Sequence, residues 1–206
     1  MHRVDQDDFW AGNFGDMYID RNQHLQLHIS NLSFFSKILS RTSGVKSVIE
    51  FGCNIGMNLM ALNELKPDLN LTGIEINKKA CQELKSKKKY VDVANRSVTK
   101  IVDYPIKYNL SITKGLLIHI NPELLTNAYS NIYNSSNRYI LLAEYYNPTP
   151  VMIPYHGEDN KLFKRDFCGE MLDIYRDLRL VDYGFLYHRD NYFRQDDINW
   201  FLMEKG

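Results

Sequence analysis

The chain turns on the stretch Val48-Ile49-Glu50-Phe51-Gly52-Cys53-Asn54-Ile55-Gly56. Val48 to Phe51 is a run of strand length, mostly apolar, and it reads as a short buried strand. Gly52 and Gly56 break the run, and a helical pattern starts at Met57. A strand, a glycine turn and a helix N-terminus in succession bring backbone N–H groups to a place where a ligand can meet them. A second apolar strand, Leu71-Thr72-Gly73-Ile74, ends at Glu75. An acidic residue about 20 positions after such a turn suits the hydroxyls of a ribose. Together they read as a nucleoside-cofactor site.

The dinucleotide fingerprint requires glycine at its first, third and sixth positions. Counted from Gly52, those positions hold Gly52, Asn54 and Met57, which disfavours a nicotinamide or flavin. The layout Glu50-x-Gly52-x-x-x-Gly56 instead resembles the first motif of class I S-adenosylmethionine-dependent methyltransferases. That motif usually has a further glycine where Asn54 stands. Asn is the non-glycine residue that best tolerates positive φ, so the departure is mild. The resemblance implies S-adenosylmethionine as cofactor, with Glu50 facing its amino-acid ammonium and Glu75 its ribose diol. It also implies contacts from Gly52, Cys53, Asn54, Gly56, Met57 and Asn58 in the turn and the helix start. Ile76, Ser97, Val98 and Lys114 join them from the ends of the later strands. Ser97 falls where such proteins contact adenine, often through Asp. The alternative is a glycine-containing strand–helix turn of another α/β protein.

Bulk composition narrows the classes. The 206 residues suffice for one domain with a full core. Hydrophobic residues make up 44% and charged residues 24%, as in ordinary globular proteins. Lys+Arg equals Asp+Glu, which argues against a protein that binds nucleic acid by bulk phosphate attraction. The apolar run Gly115–Ile120 is far too short to span a bilayer, and the first residues lack an apolar signal core. Cys53, Cys81 and Cys168 are widely spaced and odd in number, which predicts neither a metal cluster nor a disulfide framework and a reducing cytoplasmic setting.

Along the chain, residues 5–22 are dense in aromatic and charged side chains, and Gly12 and Gly15 argue against one regular helix there. Leu25, Ile29, Leu32, Ser36 and Leu39, with Phe35 beside them, recur at helical spacing and predict a helix laying that face on a sheet. Strands are expected at 47–51, 71–75, 90–94, 109–113 and 139–143, with helices at 57–65, 78–87 and from Asn121 to about Tyr133. Asn121 reads as an N-cap with Pro122 at the first helical position. The basic stretch Lys85–Lys89 reads as a solvated helix end. Pro148 and Pro150 stop regular structure, residues 165–175 look helical, and strands at 179–187 and 199–204 form an antiparallel pair. Strands alternating with helices mean a parallel α/β sheet. The expected fold is a Rossmann-like, mostly parallel seven-stranded sheet with an antiparallel C-terminal strand. One domain is expected, residues 1–45 forming an N-terminal helical lid and 46–206 the core. Ligands in such sheets bind beyond the carboxyl ends of the strands.

Several longer blocks carry a narrower resemblance. They are Phe9-Trp10-x-Gly12-x-Phe14-Gly15-x-x-Tyr18-Ile19-x-Arg21-Asn22, Thr113-Lys114-Gly115-x-Leu117-Ile118-His119-Ile120-Asn121-Pro122, and Ala143-Glu144-Tyr145-Tyr146-Asn147-Pro148-Thr149-Pro150. Leu162-Phe163-Lys164-Arg165-Asp166-Phe167 and Asp182-Tyr183-Gly184-Phe185 follow. Over roughly residues 8–205 the chain resembles the pseudaminic acid biosynthesis-associated methylases, small class I methyltransferases of bacterial nonulosonic-acid and surface-glycan pathways. The resemblance implies a methyl donor and a sugar-pathway context, and leaves the acceptor open.

The candidate roles follow. His119, past the fourth strand, is either a general base or a structural histidine at the Asn121 turn. Glu144 and Tyr146, with Tyr145 and Asn147, are the acceptor-side candidates, since polar groups off a strand end can bond sugar hydroxyls or an amine. Lys164 and Arg165 can bind an acidic group, or form a helix-start salt bridge. Trp10, Tyr18 and Arg21 form the lid, with Arg21 a partner for the cofactor carboxylate. The expected partner is a small acceptor, a sugar, sugar nucleotide or amine. A non-catalytic scaffold, a nicotinamide oxidoreductase and a methyltransferase of surface proteins are the competing readings.

Overall fold

A computed structural model describes residues 6–20, 25–155 and 158–206. Arg21, Asn22 and the first five residues lie outside the described residues. The centre is one sheet of seven strands, β1 (Ser47–Phe51), β2 (Asn70–Glu75), β3 (Val91–Asn95), β4 (Tyr108–Lys114), β5 (Ser136–Glu144), β8 (Leu178–Leu186) and β9 (Ile198–Lys205). They lie in the order β3-β2-β1-β4-β5-β9-β8. The neighbouring pairs from β3 to β5 are parallel, and β9 runs antiparallel between β5 and β8. From β1 the chain first builds toward β3, then returns to place β4 on the other side. The carboxyl ends of β1 and β4 thus flank the switch point, where such sheets open a crevice.

Alternation along the strands explains why the central ones read as continuous apolar runs. Val48 contributes to one apolar layer and Ile49 and Phe51 to the other. On β5, Tyr139, Leu141 and Ala143 join the first layer, while Ile140 and Leu142 join the second. Both faces are buried, so no strand face has to be polar. The first layer packs under α3 (Leu25–Ser40), α4 (Met57–Leu65) and Leu84 of α5 (Lys78–Lys87). The second packs under α6 (Leu125–Ser135) and α7 (Phe167–Ile174). Each fully buried aliphatic or aromatic side chain is worth about 1.5–3 kcal/mol, so the runs on β1 and β5 anchor the sheet from both faces.

Three expectations are corrected. The helix α3 lies where expected, but its buried stripe is Ser30, Asn31, Phe34, Phe35 and Ile38, while Leu25, Ile29 and Ser36 are exposed. Of the expected face, Phe35 is in the core and Leu32 and Leu39 pack against it, so the helix is rotated toward Phe34 and Ile38 rather than turned away. A two-stranded hairpin, β6 (Val151–Tyr155) with β7 (Glu158–Lys164), stands where no strand was expected. Third, the helix expected from Asn121 opens as a 3-10 turn, Pro122–Leu124, before α6, and another 3-10 turn, Leu117–His119, precedes it. The Asn121 side chain does cap the Pro122–Leu124 turn, accepting from the Glu123 N–H at 3.1 Å. Residues 6–20 fold as two short helices, α1 (Gln6–Ala11) and α2 (Asn13–Asp20), broken at Gly12 as the glycines required. No helix among the described residues is long and apolar enough to cross a membrane.

Candidate functional site

The turn after β1 is built by three residues with positive φ: Gly52 at 72°, Asn54 at 47° and Gly56 at 76°. Asn54 is the one non-glycine residue with positive φ among those described. Side chains at the two glycines would also collide, with Leu116 at Gly52 and with Leu84 at Gly56. The Asn54 N–H donates to Glu75 Oε2 at 2.8 Å, and the Asn77 N–H donates to Oε1 at 2.7 Å. Glu75 is thereby fixed at the mouth of β2, with its carboxylate on a cavity wall. Burial pushes its pKa upward, against the pull of those N–H groups. Inside the turn, Glu50 is 1% exposed. Asn58 Nδ2 donates to its Oε1 at 2.6 Å, while Oε2 has no partner among the described residues. Burial raises the Glu50 carboxyl to about 7.

Two adjoining cavities meet at this turn, sharing Tyr18, Gly52, Asn54 and Gly115 in their walls. The first, of about 100 Å³, runs from Glu75 and Ile76 past Ser97 and Val98 to Leu116 and His119. Its roof is α1 and α2. Trp10 lies against the His119 ring with centroids 4.5 Å apart, and meets Phe14 and Tyr18 edge-on. Asn77 ties the roof down, donating from Nδ2 to Asp16 Oδ1 at 2.8 Å, while its Oδ1 caps α5 through the Ala80 N–H. Gly15 permits the roof to close, because a Cβ there would sit 1.9 Å from the Trp10 carbonyl oxygen. Gln6 Nε2, Trp10 Nε1 and Asn54 Oδ1 are buried and have no partner among the described residues. Buried polar atoms are normally paired, so three such atoms on one cavity mark a surface that fits a polar ligand.

The second cavity, about 540 Å³, is lined by Cys53, Met57, Asn58 and Lys114, and by Asn31 of α3. Its outer wall is the β8–β9 connection, with His188, Arg194, Gln195 and Asp196. Burial lowers the Lys114 pKa, and Glu50, Asp196 and Glu144 partly offset that. Both amide atoms of Asn31 and Gln195 Oε1 are buried without partners among the described residues. His188 Nδ1 lies 2.8 and 2.9 Å from the two oxygens of Asp197. In the sequence this wall is only the link between two antiparallel strands, and nothing in its spacing tells that it folds back over the turn.

The acceptor-side candidates sit elsewhere. Glu144 accepts from the backbone N–H groups of Leu116 at 3.2 Å and Ile118 at 3.4 Å. Its carboxylate is taken up in holding the 3-10 turn, and burial raises it to about 7. Tyr146 is 37% exposed and leans on Phe201, and Asn147 bonds Thr149 beside it. Arg165 pairs with Glu170 at 2.5 Å and Lys164 lies over the Tyr145 ring, 5.2 Å from its centroid. None of these lines either cavity. Tyr145 alone reaches toward one, through its hydroxyl on Asp196 at 3.2 Å. After Glu144 the chain enters the hairpin β6–β7, whose second strand packs on the 3-10 turn through the Lys161 carbonyl. His119 does line the first cavity, but Nδ1 faces the Lys161 carbonyl at 2.8 Å and so carries the hydrogen. Burial lowers its pKa to about 4.

Sheet order, crevice and turn together define the fold of class I S-adenosylmethionine-dependent methyltransferases. The comparisons agree on the fold. The chain is similar to the Synechocystis magnesium protoporphyrin IX methyltransferase crystallised with its S-adenosylmethionine, at a TM-score of 0.71 and 13% identity over 100% of both chains. It is also similar to the Burkholderia thailandensis 1,6-didemethyltoxoflavin-N1-methyltransferase with its acceptor and S-adenosylhomocysteine, at 0.70 and 11%, over 97% of this chain and 86% of that one. A Clostridium acetobutylicum S-adenosylmethionine-dependent methyltransferase superposes at 0.66 with 10% identity, over 94% and 98%. No family model and no curated protein matches the sequence. The resemblance to the pseudaminic acid-associated methylases therefore rests on the sequence blocks alone.

Proposed function

We propose that this protein is an S-adenosylmethionine-dependent methyltransferase acting on a small polar metabolite. The observation that carries the reading is the buried Glu75 carboxylate, bonded to the Asn54 N–H across a turn of positive φ and facing a roofed cavity. In this reading Glu75 takes the ribose diol, with Ile76, Ser97 and Val98 around the adenine. Gly52 to Gly56, Met57 and Asn58 carry the aminoacyl end. Glu50, with an unpartnered oxygen, faces its ammonium, while Lys114 and Arg21 serve its carboxylate. Trp10 and Tyr18 exclude water from above. The structural neighbours bind this cofactor or its product, which supports the assignment.

The cofactor supplies a methyl group already activated on a sulfonium. The protein must align the acceptor, keep water out and take a proton where the acceptor carries one. The second cavity is the acceptor chamber in this reading, since it opens beside Lys114 and Gly115 at the turn. His188, oriented by Asp197, receives the proton at its other nitrogen. His119 is a positioning residue instead: with its pKa near 4 it is a weak base at neutral pH, and it supports Trp10. Asn31, Gln195 and Arg194 give the chamber amide and cationic groups that suit a hydroxylated acid or amine. The sequence blocks favour a nonulosonic-acid or surface-glycan pathway, with transfer to oxygen or nitrogen in the cytoplasm. The magnesium protoporphyrin IX and 1,6-didemethyltoxoflavin enzymes act on small molecules, which supports that acceptor class, while a plantazolicin methyltransferase of the same fold keeps a peptide acceptor as the second reading.

Thermal unfolding with added ligands tests the reading. S-adenosylhomocysteine at 100 times its dissociation constant is expected to stabilise the protein by about 2.7 kcal/mol, and NAD to leave the transition in place. Stabilisation by NAD alone would point to an oxidoreductase.

A further inference from the structure

We propose that Asp7 supplies the carboxylate that reads the adenine amine, delivered by α1 and held in place by Ser97. The inference rests on the first cavity being the adenosyl pocket. Ser97 follows β3, which lies beside β2 in the sheet, with Asn95 opposite Glu75. A base attached to a ribose at Glu75 therefore extends along the wall toward Ser97 and Val98. Serine there is a weak substitute for an acid. The structure brings the acid from the other end of the sequence: Ser97 Oγ donates to Asp7 Oδ1 at 3.0 Å, and Asp7 lines the same cavity.

Ser97 is a bracket and not itself the reader. Its single hydroxyl hydrogen goes to Asp7, while its oxygen accepts from the Thr99 N–H at 3.1 Å and lies 2.8 Å from Thr99 Oγ1. A carboxylate only accepts, with about four lone-pair sites, so Asp7 can accept from Ser97 and from an amine together. Adenine presents a donor-only amine at that edge; a 6-keto purine presents an acceptor. Around Asp7, Gln6 Nε2 and Trp10 Nε1 are buried donors with no partner among the described residues. They match the acceptor nitrogens of the adenine ring. One short helix thus offers an acceptor and two donors to a base that has both.

The test is calorimetric titration of S-adenosylhomocysteine and S-inosylhomocysteine, its 6-keto analogue. The wild-type protein is expected to favour the adenosyl compound by roughly 10- to 100-fold, the range of one charge-assisted hydrogen bond. Asp7→Asn, whose amide can donate to the keto oxygen, should bring the two within about threefold of each other. Ser97→Ala, which leaves Asp7 in place but unheld, should lower the ratio less. Asp8→Asn, at the exposed neighbouring position, should keep the wild-type ratio. Circular dichroism checks that each variant folds. If the wild type binds S-adenosylhomocysteine without preference, or Asp7→Asn keeps the wild-type ratio, Asp7 is not the reader and the cofactor assignment stands. Binding of neither compound by the wild type overturns both.

Discussion

Asn54 shows how a single side chain sets the turn. At φ 47° it sits where most side chains clash with their own backbone. Its N–H also holds Glu75. Asn54→Gly should unfold at nearly the wild-type urea concentration, whereas Asn54→Val should lose about 1–2 kcal/mol. Equal midpoints for the two would mean that the turn relaxes. Glu50 gives a pH signature. Its carboxyl titrates near 7 in the folded chain against an ordinary 4.5, so the folded state holds a proton that the unfolded state has released between those values. The stability this group allows is complete below about pH 4.5 and is lost as pH rises through about 7. Glu50→Gln should thus match wild type at pH 4 and exceed it by up to about 3 kcal/mol at pH 8, measured by urea unfolding. The same difference at both pH values would remove burial as the cause. At this scale the sequence is informative where geometry is local: the positive φ at Asn54 and the meeting of the turn with Glu75 follow from spacing and φ tolerance. The placement of Asp7, Asn31 and His188 does not, because each meets the cavities only through contacts distant in sequence.

The first cavity is roofed by a pair of short helices, α1 and α2. They rest on Asn77, on His119 and on the absence of a side chain at Gly15. Gly15→Ala should push Trp10 out of place and weaken S-adenosylhomocysteine binding by roughly tenfold or more, about 1.4 kcal/mol. The far-ultraviolet circular dichroism of the sheet should be unchanged. Unaltered affinity in that variant would show that the helices merely cover the core. Helices and strands with strong periodicity were legible in advance, and β1, α4 and α5 fell within a residue of expectation. The rotation of α3 was not, since Phe34 and Ile38 outweighed the leucine stripe only once the sheet was there to receive them. The hairpin β6–β7 was hidden by Pro148 and Pro150 before it and Pro154 within it, and Lys164 and Arg165 at its end line neither cavity.

At the scale of the whole molecule, six of the eleven buried side-chain polar atoms without partners among the described residues lie on residues that line the two cavities, Gln6, Trp10, Asn31, Asn54 and Gln195. Evolution commonly tolerates such groups where a ligand needs them, at a cost in stability. Asn31→Leu should then stabilise the ligand-free protein by about 1 kcal/mol, since an unpaired buried amide costs about 1–3 kcal/mol, read as a higher urea midpoint. A destabilised variant would indicate that Asn31 is satisfied within the fold. The mostly parallel sheet followed from strand–helix alternation alone, whereas the β8–β9 connection that walls the second cavity did not.

Calorimetric titration of S-adenosylhomocysteine into the wild-type protein and Glu75→Ala puts the central claim to its most direct test. The wild type should bind at a single site, and Glu75→Ala should bind roughly 100-fold more weakly, about 2.7 kcal/mol, as expected for losing charge-assisted bonds to a diol. Equal binding by a folded Glu75→Ala, or no binding by the wild type, would contradict the account.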